Sequence, residues 1–136
     1  IEFIPSSRFK DLIYLNPLSV NEPVYFNPLE VSNPSESHLM VSSLVSVFKK
    51  IWNDSWGPRL EYILRNSVAT LAEFPGSTLI DLQKLLQDRT FRNSLVSRLT
   101  KEQLKSFWIN EFEKYPPNLQ QEAISSAEPR LPRYYP

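Results

Sequence analysis

Six cations crowd one stretch of this sequence: Lys84, Arg89, Arg92, Arg98, Lys101 and Lys105. Between the same limits stand only Asp88 and Glu102, so six positive charges meet two negative ones and the local balance is +4. Ammonium and guanidinium groups at this density suit phosphate contacts, which need positive charge within reach of successive backbone oxygens. Lys101 and Lys105 are one helical turn apart, and a capped corner at Thr100 would bring Arg98 near them. The same charges also fit an ordinary solvated helix surface, and both readings stand. Phe91, Phe107 and Trp108 fall on apolar stripes rather than among the charges, so base stacking is not indicated.

Catalytic chemistry finds few residues. A phosphate-binding loop needs glycines so that backbone amides can wrap the phosphates, and the chain has only Gly57 and Gly76. His38 is the single histidine and there is no cysteine, which excludes multi-histidine and cysteine-ligated metal sites and any disulfide framework. His38 falls in the first turn of an expected helix, poorly placed for a buried base, and reads as structural or exposed. Glu111 and Glu113 are two apart on a helix, point in different directions and have no evident partner, so they read as a solvated face. No cofactor is expected, and no activity as an independent enzyme.

The elements that would hold these residues are helical. Residues 1 to 33 contain four of the twelve prolines, at Pro5, Pro17, Pro23 and Pro28, which forbid long helices; this is an extended arm with candidate strands at Asp11 to Leu15 and Pro23 to Phe26. At Asn33 the texture changes. Asn33 can cap and Pro34 suits the first helical position, opening a helix from 34 to about 53 with a stripe of Leu44, Val45, Phe48, Ile51 and Trp52. Asp54 or Ser55 caps a second helix, with Pro58 in its first turn and Leu60, Ile63, Leu64, Val68 and Leu71 facing inward. Trp56 staples the corner between the two, and Arg59 and Arg65 are available for contacts across it or to a partner.

Phe74-Pro75-Gly76 stops the second helix. Thr78 and Asp81 form a capping box for a short third helix carrying Leu82, Leu85 and Leu86. Asp88 caps a fourth with Phe91, Leu95, Val96 and Leu99, and Thr100 with Gln103 predicts another capping box for a fifth with Leu104, Phe107, Trp108 and Phe112. A helix-turn-helix DNA reader fits residues 77 to 99 in outline, but the turn has no glycine and its second helix is as apolar as it is basic. Tyr115-Pro116-Pro117 breaks the fifth helix. Residues 118 to 127 supply further turns, and 128 to 136 form a Pro-rich flexible tail. The expected architecture is mainly α, a compact all-α bundle of five or six short helices over residues 34 to 127.

Length and composition agree with one domain. A chain of 136 residues that is 41% hydrophobic can close a single core. Fifteen Lys plus Arg balance fifteen Asp plus Glu, so any electrostatic footprint is local. No stretch approaches the roughly 18 consecutive apolar residues of a membrane span, and no membrane insertion by this segment is expected.

Most of the chain, from Tyr25 to Phe112, resembles the conjugative DNA-transfer coupling ATPases of type IV secretion systems, in the superfamily of HerA and FtsK. The resemblance lies in YFNPLE at 25 to 30, HLMVSSLVSVFKKIW at 38 to 52, DSWGPRLEYILRNSVATL at 54 to 71, STLIDLQKLLQDRTFR at 77 to 92, and the pairs Phe107-Trp108 and Glu111-Phe112. IPSSRFKDLIYLNP at 4 to 17 is similar to the segment where those proteins leave a core strand for a helical insert. The resemblance implies an all-α domain inserted in a RecA-like motor and lacking the nucleotide motifs. It implies recognition of DNA, single- or double-stranded, or of a relaxase-like protein substrate, beside the parent motor subunits. It also implies a cytoplasmic location, with the parent at the inner face of the cell membrane. From Ser125 the chain reads SSAEPRLPRYYP and departs from the family pattern, as an excised or divergent piece would. A different class of role, an interaction or scaffold module, would use the Pro-rich tail as a ligand.

Overall fold

The structure, a computed structural model, describes residues 3–12, 26–31, 33–51 and 56–121. Every regular element among them is helical. Five helices build the bundle: α1 (Ser37–Ile51), α2 (Pro58–Leu71), α3 (Leu79–Gln87), α4 (Arg89–Val96) and α5 (Glu102–Ser106). A further helical turn covers 117–121. The mainly α bundle expected from the sequence is what the chain forms.

Local chemistry explains most of the boundaries. Asn33 accepts a hydrogen bond from the Ser35 amide and Pro34 opens a 3-10 turn, Pro34–Glu36, that runs into α1. Thr78 and Asp81 exchange the two bonds of a capping box at the head of α3. Asp88 caps α4 by accepting from the Thr90 and Phe91 amides. Gly76, at φ 84°, sits in the left-handed region between α2 and α3, where a side chain would be strained.

Two predicted boundaries differ. α2 begins with Gly57 at its N-cap, in extended conformation and without a side-chain cap, and Pro58 in first position; Asp54, Ser55 and Trp52 lie outside the described residues. Thr100 does not cap α5. The N-cap there is Lys101, without a side-chain bond, because the Thr100 amide and hydroxyl both donate to Glu73 Oε2, each at 3.0 Å. A carboxylate delivered from the end of α2 outbids the local Gln103.

In the arm, Asp11 closes a 3-10 helix, Ser6–Asp11, in place of opening a strand. Leu12 follows as the extended C-cap of that turn; residues 13 to 15, most of the Pro23 to Phe26 run, residues 122 to 127 and the tail lie outside the described residues. Residues 26–31 pack on the bundle: Leu29 is buried in the core, and Asn27 Nδ2 donates to the Ser77 carbonyl at 2.8 Å.

One core joins all five helices through Val45, Leu64, Leu71, Leu82, Leu85 and Phe112, among others. Beyond α5 the chain widens into a π-helical turn, Phe107–Glu111, and then tightens into a 3-10 turn, Phe112–Lys114. The wide turn brings Phe112 under both preceding rings, with centroids 6.1 Å from Phe107 and 4.9 Å from Trp108. Trp108 is buried, and its indole donates to Thr70 Oγ1 at 2.8 Å, which satisfies the one polar atom of the largest core side chain.

Candidate functional site

The six cations of the 84 to 105 stretch do not form one surface. Arg92 is 4% exposed. Its Nη1 donates to the Leu85 and Leu86 carbonyls at 3.0 and 3.1 Å, satisfying acceptors that the end of α3 leaves open. Its Nε and Nη2 donate to Glu113 Oε1, and its guanidinium lies over the Phe112 ring. Every face of this group is committed to the interior, so Arg92 leaves the phosphate-contacting set and becomes a strut between α3, α4 and the 3-10 turn after α5.

Glu113 is accordingly no solvated bystander. Its Oε2 takes a second cation, Arg89, at 3.1 Å. Glu111 accepts from the Tyr62 hydroxyl at 3.1 Å, linking the π-turn to α2. Burial, then the hydrogen bond to Glu111, raises the Tyr62 phenol above its ordinary value.

The four remaining cations are also matched. Lys84 reaches Asp81 at 3.8 Å and Lys105 reaches Glu102 at 3.3 Å. Lys101 meets Glu73 at 3.2 Å, and the Arg98 guanidinium stacks on the Phe74 ring, 5.0 Å from its centroid. Arg98 and Lys101, in the corner after α4, thus each contact the segment just after α2, through Phe74 and Glu73. Arg89 stands at the other end of α4, roughly 13 Å of helix rise away. Glu73, Asp81 and Glu113 now join Asp88 and Glu102, so six cations meet five carboxylates and the balance of +4 falls to +1.

Glu73 anchors that corner. Burial raises its pKa, but the Thr100 amide and hydroxyl and then Lys101 outweigh the burial and hold it below the ordinary carboxylate value.

Two cavities lie along the seam of α1 and α2. These helices run antiparallel, with Lys49 opposite Glu61 at 3.6 Å and Arg65 Nη1 opposite Ser42 Oγ at 3.4 Å. A cavity of about 560 Å³ opens at the corner, walled by Lys49, Trp56, Gly57, Pro58, Glu61 and Tyr62 together with Arg65. Trp56 is half-buried against the core here, and its indole donates to Glu61 Oε2 at 2.8 Å. That hydrogen bond, with Arg65 and Lys49 beside it, holds Glu61 below its ordinary pKa.

A second cavity, about 260 Å³, continues towards the start of α1, with Ser37, His38, Val41 and Ser42 on one side and Arg65, Ala69 and Ala72 on the other. Lys101 closes it, the one residue of the predicted set that lines a cavity. His38 is exposed, and its Nδ1 lies 2.9 Å from the Ser35 carbonyl. Sequence reasoning reached Trp56 and Arg65 as corner residues but missed Lys49 and Tyr62; the i,i+4 pair Glu61–Arg65 was the available signal.

Among the described residues, no group of three or more His, Asp or Glu could hold a metal ion, and no helix is long and apolar enough to cross a membrane. No family model, curated protein or solved structure matches the chain.

Proposed function

We propose that this chain is a substrate-recognition module, non-catalytic by itself, of the kind that conjugative coupling ATPases of type IV secretion systems insert in their motor, and that the substrate it meets is protein before DNA. The observation that carries the choice of protein is Arg92. The central cation of the phosphate-contacting stretch is buried against Phe112 and the end of α3, and each of its neighbours has a carboxylate or ring partner. With Arg92 buried, the five cations left meet five carboxylates, which gives long-range attraction to a polyanion little to work with. The α1–α2 seam instead combines aromatic walls, small residues and charged rims, the composition from which protein-recognition sites are made. By the same resemblance the parent acts on the cytoplasmic side of the cell membrane, beside the other motor subunits.

Titration with single- and double-stranded DNA at two salt concentrations tests the choice. Protein recognition predicts weak binding whose affinity changes little with salt. Tight binding that falls steeply as salt rises would reinstate the DNA reading, with Arg89, Arg98 and Lys101 as its contacts.

A further inference from the structure

We infer that the α1–α2 seam is a groove for an extended acidic peptide segment of a protein substrate, with one apolar side chain of the segment held between Trp56 and Tyr62. The inference rests on the protein-recognition reading and names its site. Both cavities of the seam take Arg65 as a wall, so a chain entering one passes Arg65 to reach the other. Between Glu61 and Ala72 the axis of α2 rises roughly 16 Å, a span that about five extended residues cover.

Charge fixes the class of occupant. Among the described residues the lining cations are Lys49, Arg65 and Lys101, spaced along the whole seam, and the lining carboxylate is Glu61. Three positive charges against one leave this lining at +2, and counting Glu73 beside Lys101 still leaves it at +1. Glu61 is moreover engaged by Trp56, Arg65 and Lys49 together. Lys101 is paired with Glu73, which lines neither cavity, and its side chain stays 61% exposed, so its remaining donors are open to an incoming carboxylate. Arg65 is 44% exposed: its Nη2 meets Glu61 Oε1 at 3.3 Å, while its Nη1 makes a long contact of 3.4 Å to Ser42 Oγ, which an acceptor from outside can displace.

Shape decides that the chain is extended. Ser42, Ala69 and Ala72 offer a floor without bulk at the narrow end, whereas the wide end is flanked by an indole and a phenol. The wide end has the larger volume and the aromatic walls, so the anchor belongs there and the carboxylates belong beside Arg65 and Lys101.

The test titrates the 136-residue chain into a fluorescein-labelled decapeptide of alternating Glu and Ala with one central Leu, and into its counterpart with Lys for Glu, followed by anisotropy. Duplex DNA forms a third arm. The expected result is binding of the acidic probe, no binding of the basic one, a loss of about tenfold or more on Arg65→Glu and a smaller loss on Arg65→Gln. Lys50→Gln, on the exposed side of α1, should change nothing, and circular dichroism should report unaltered helix content in every variant. Equal binding of the two probes, or an Arg65→Glu variant that holds the acidic probe as tightly as the parent, overturns the groove and leaves protein recognition standing. Salt-sensitive DNA binding without binding of the acidic probe overturns both.

Discussion

The guanidinium carbon of Arg92 lies 5.0 Å from the centre of the Phe112 ring, beneath a surface on which Arg89, Thr90 and Asn93 are exposed. Removing it strands more than a charge. Arg92→Ala would leave the Leu85 and Leu86 carbonyls without their donor and Glu113 with Arg89 alone, a loss of about 2–4 kcal/mol expected from unsatisfied buried acceptors and a broken partly buried pair. Urea denaturation should show the unfolding free energy falling by that amount, whereas Arg89→Ala, at an exposed pair, should cost less than about 1 kcal/mol. Equal costs would mean that the buried hydrogen bonds contribute nothing.

Thr70 and Trp108 make a second test of buried polarity. Thr70→Val keeps the shape and deletes the acceptor, so the indole N–H is left unsatisfied in the core at a cost of about 1–3 kcal/mol. Thr70→Ser keeps the hydroxyl and should lose only the packing of one methyl, about 1 kcal/mol. Thermal denaturation of the two variants should therefore order them Ser above Val.

Acid should act through Glu73. Its folded-state pKa lies below the ordinary value of 4.5, so the bonds to Thr100 and Lys101 contribute stability that is complete above that value and is lost as pH falls through the lower, folded one. Glu73→Gln should lower stability at neutral pH and flatten this acid limb. Stability curves measured from neutral pH to strongly acid conditions should converge for the two proteins at the acid end.

Gly76 offers a backbone test free of packing effects. Nothing lies within 4 Å of a Cβ built there, so Gly76→Ala isolates the cost of φ 84° for an L residue, about 1–2 kcal/mol. Gly76→Asn should recover part of the loss, as measured by denaturant midpoint.

The folded chain shows which sequence signals carry their own answer. Asn33, Thr78 with Asp81, and Asp88 bind amides two or three residues away, so their roles are complete within a short window. Thr100 fails on the same logic, because its partner Glu73 is 27 residues distant. Arg92 was half legible. It stands at the same helical phase as Leu95, Val96 and Leu99, which are buried, and an arginine on an apolar stripe signals a buried cation. Its charge, counted together with the others, concealed its phase. The groove was least legible, since Lys49 and Lys101 are brought to one seam by the antiparallel pairing of α1 with α2 and the return of α5, relations that no local window contains.

The π-turn at Phe107–Glu111 has a consequence for how this chain tolerates change in length. An α-helix advances about 100° per residue, so one surplus residue rotates everything downstream by that angle relative to everything upstream. The stretch before the turn keys to α2 through Phe107 and Trp108, and the stretch after it keys to Arg92 and α4 through Phe112 and Glu113. Deleting Ile109, an exposed residue of this turn, would erase the offset and force a choice between the two alignments. The bundle is thus held in phase by a residue whose identity matters less than its presence.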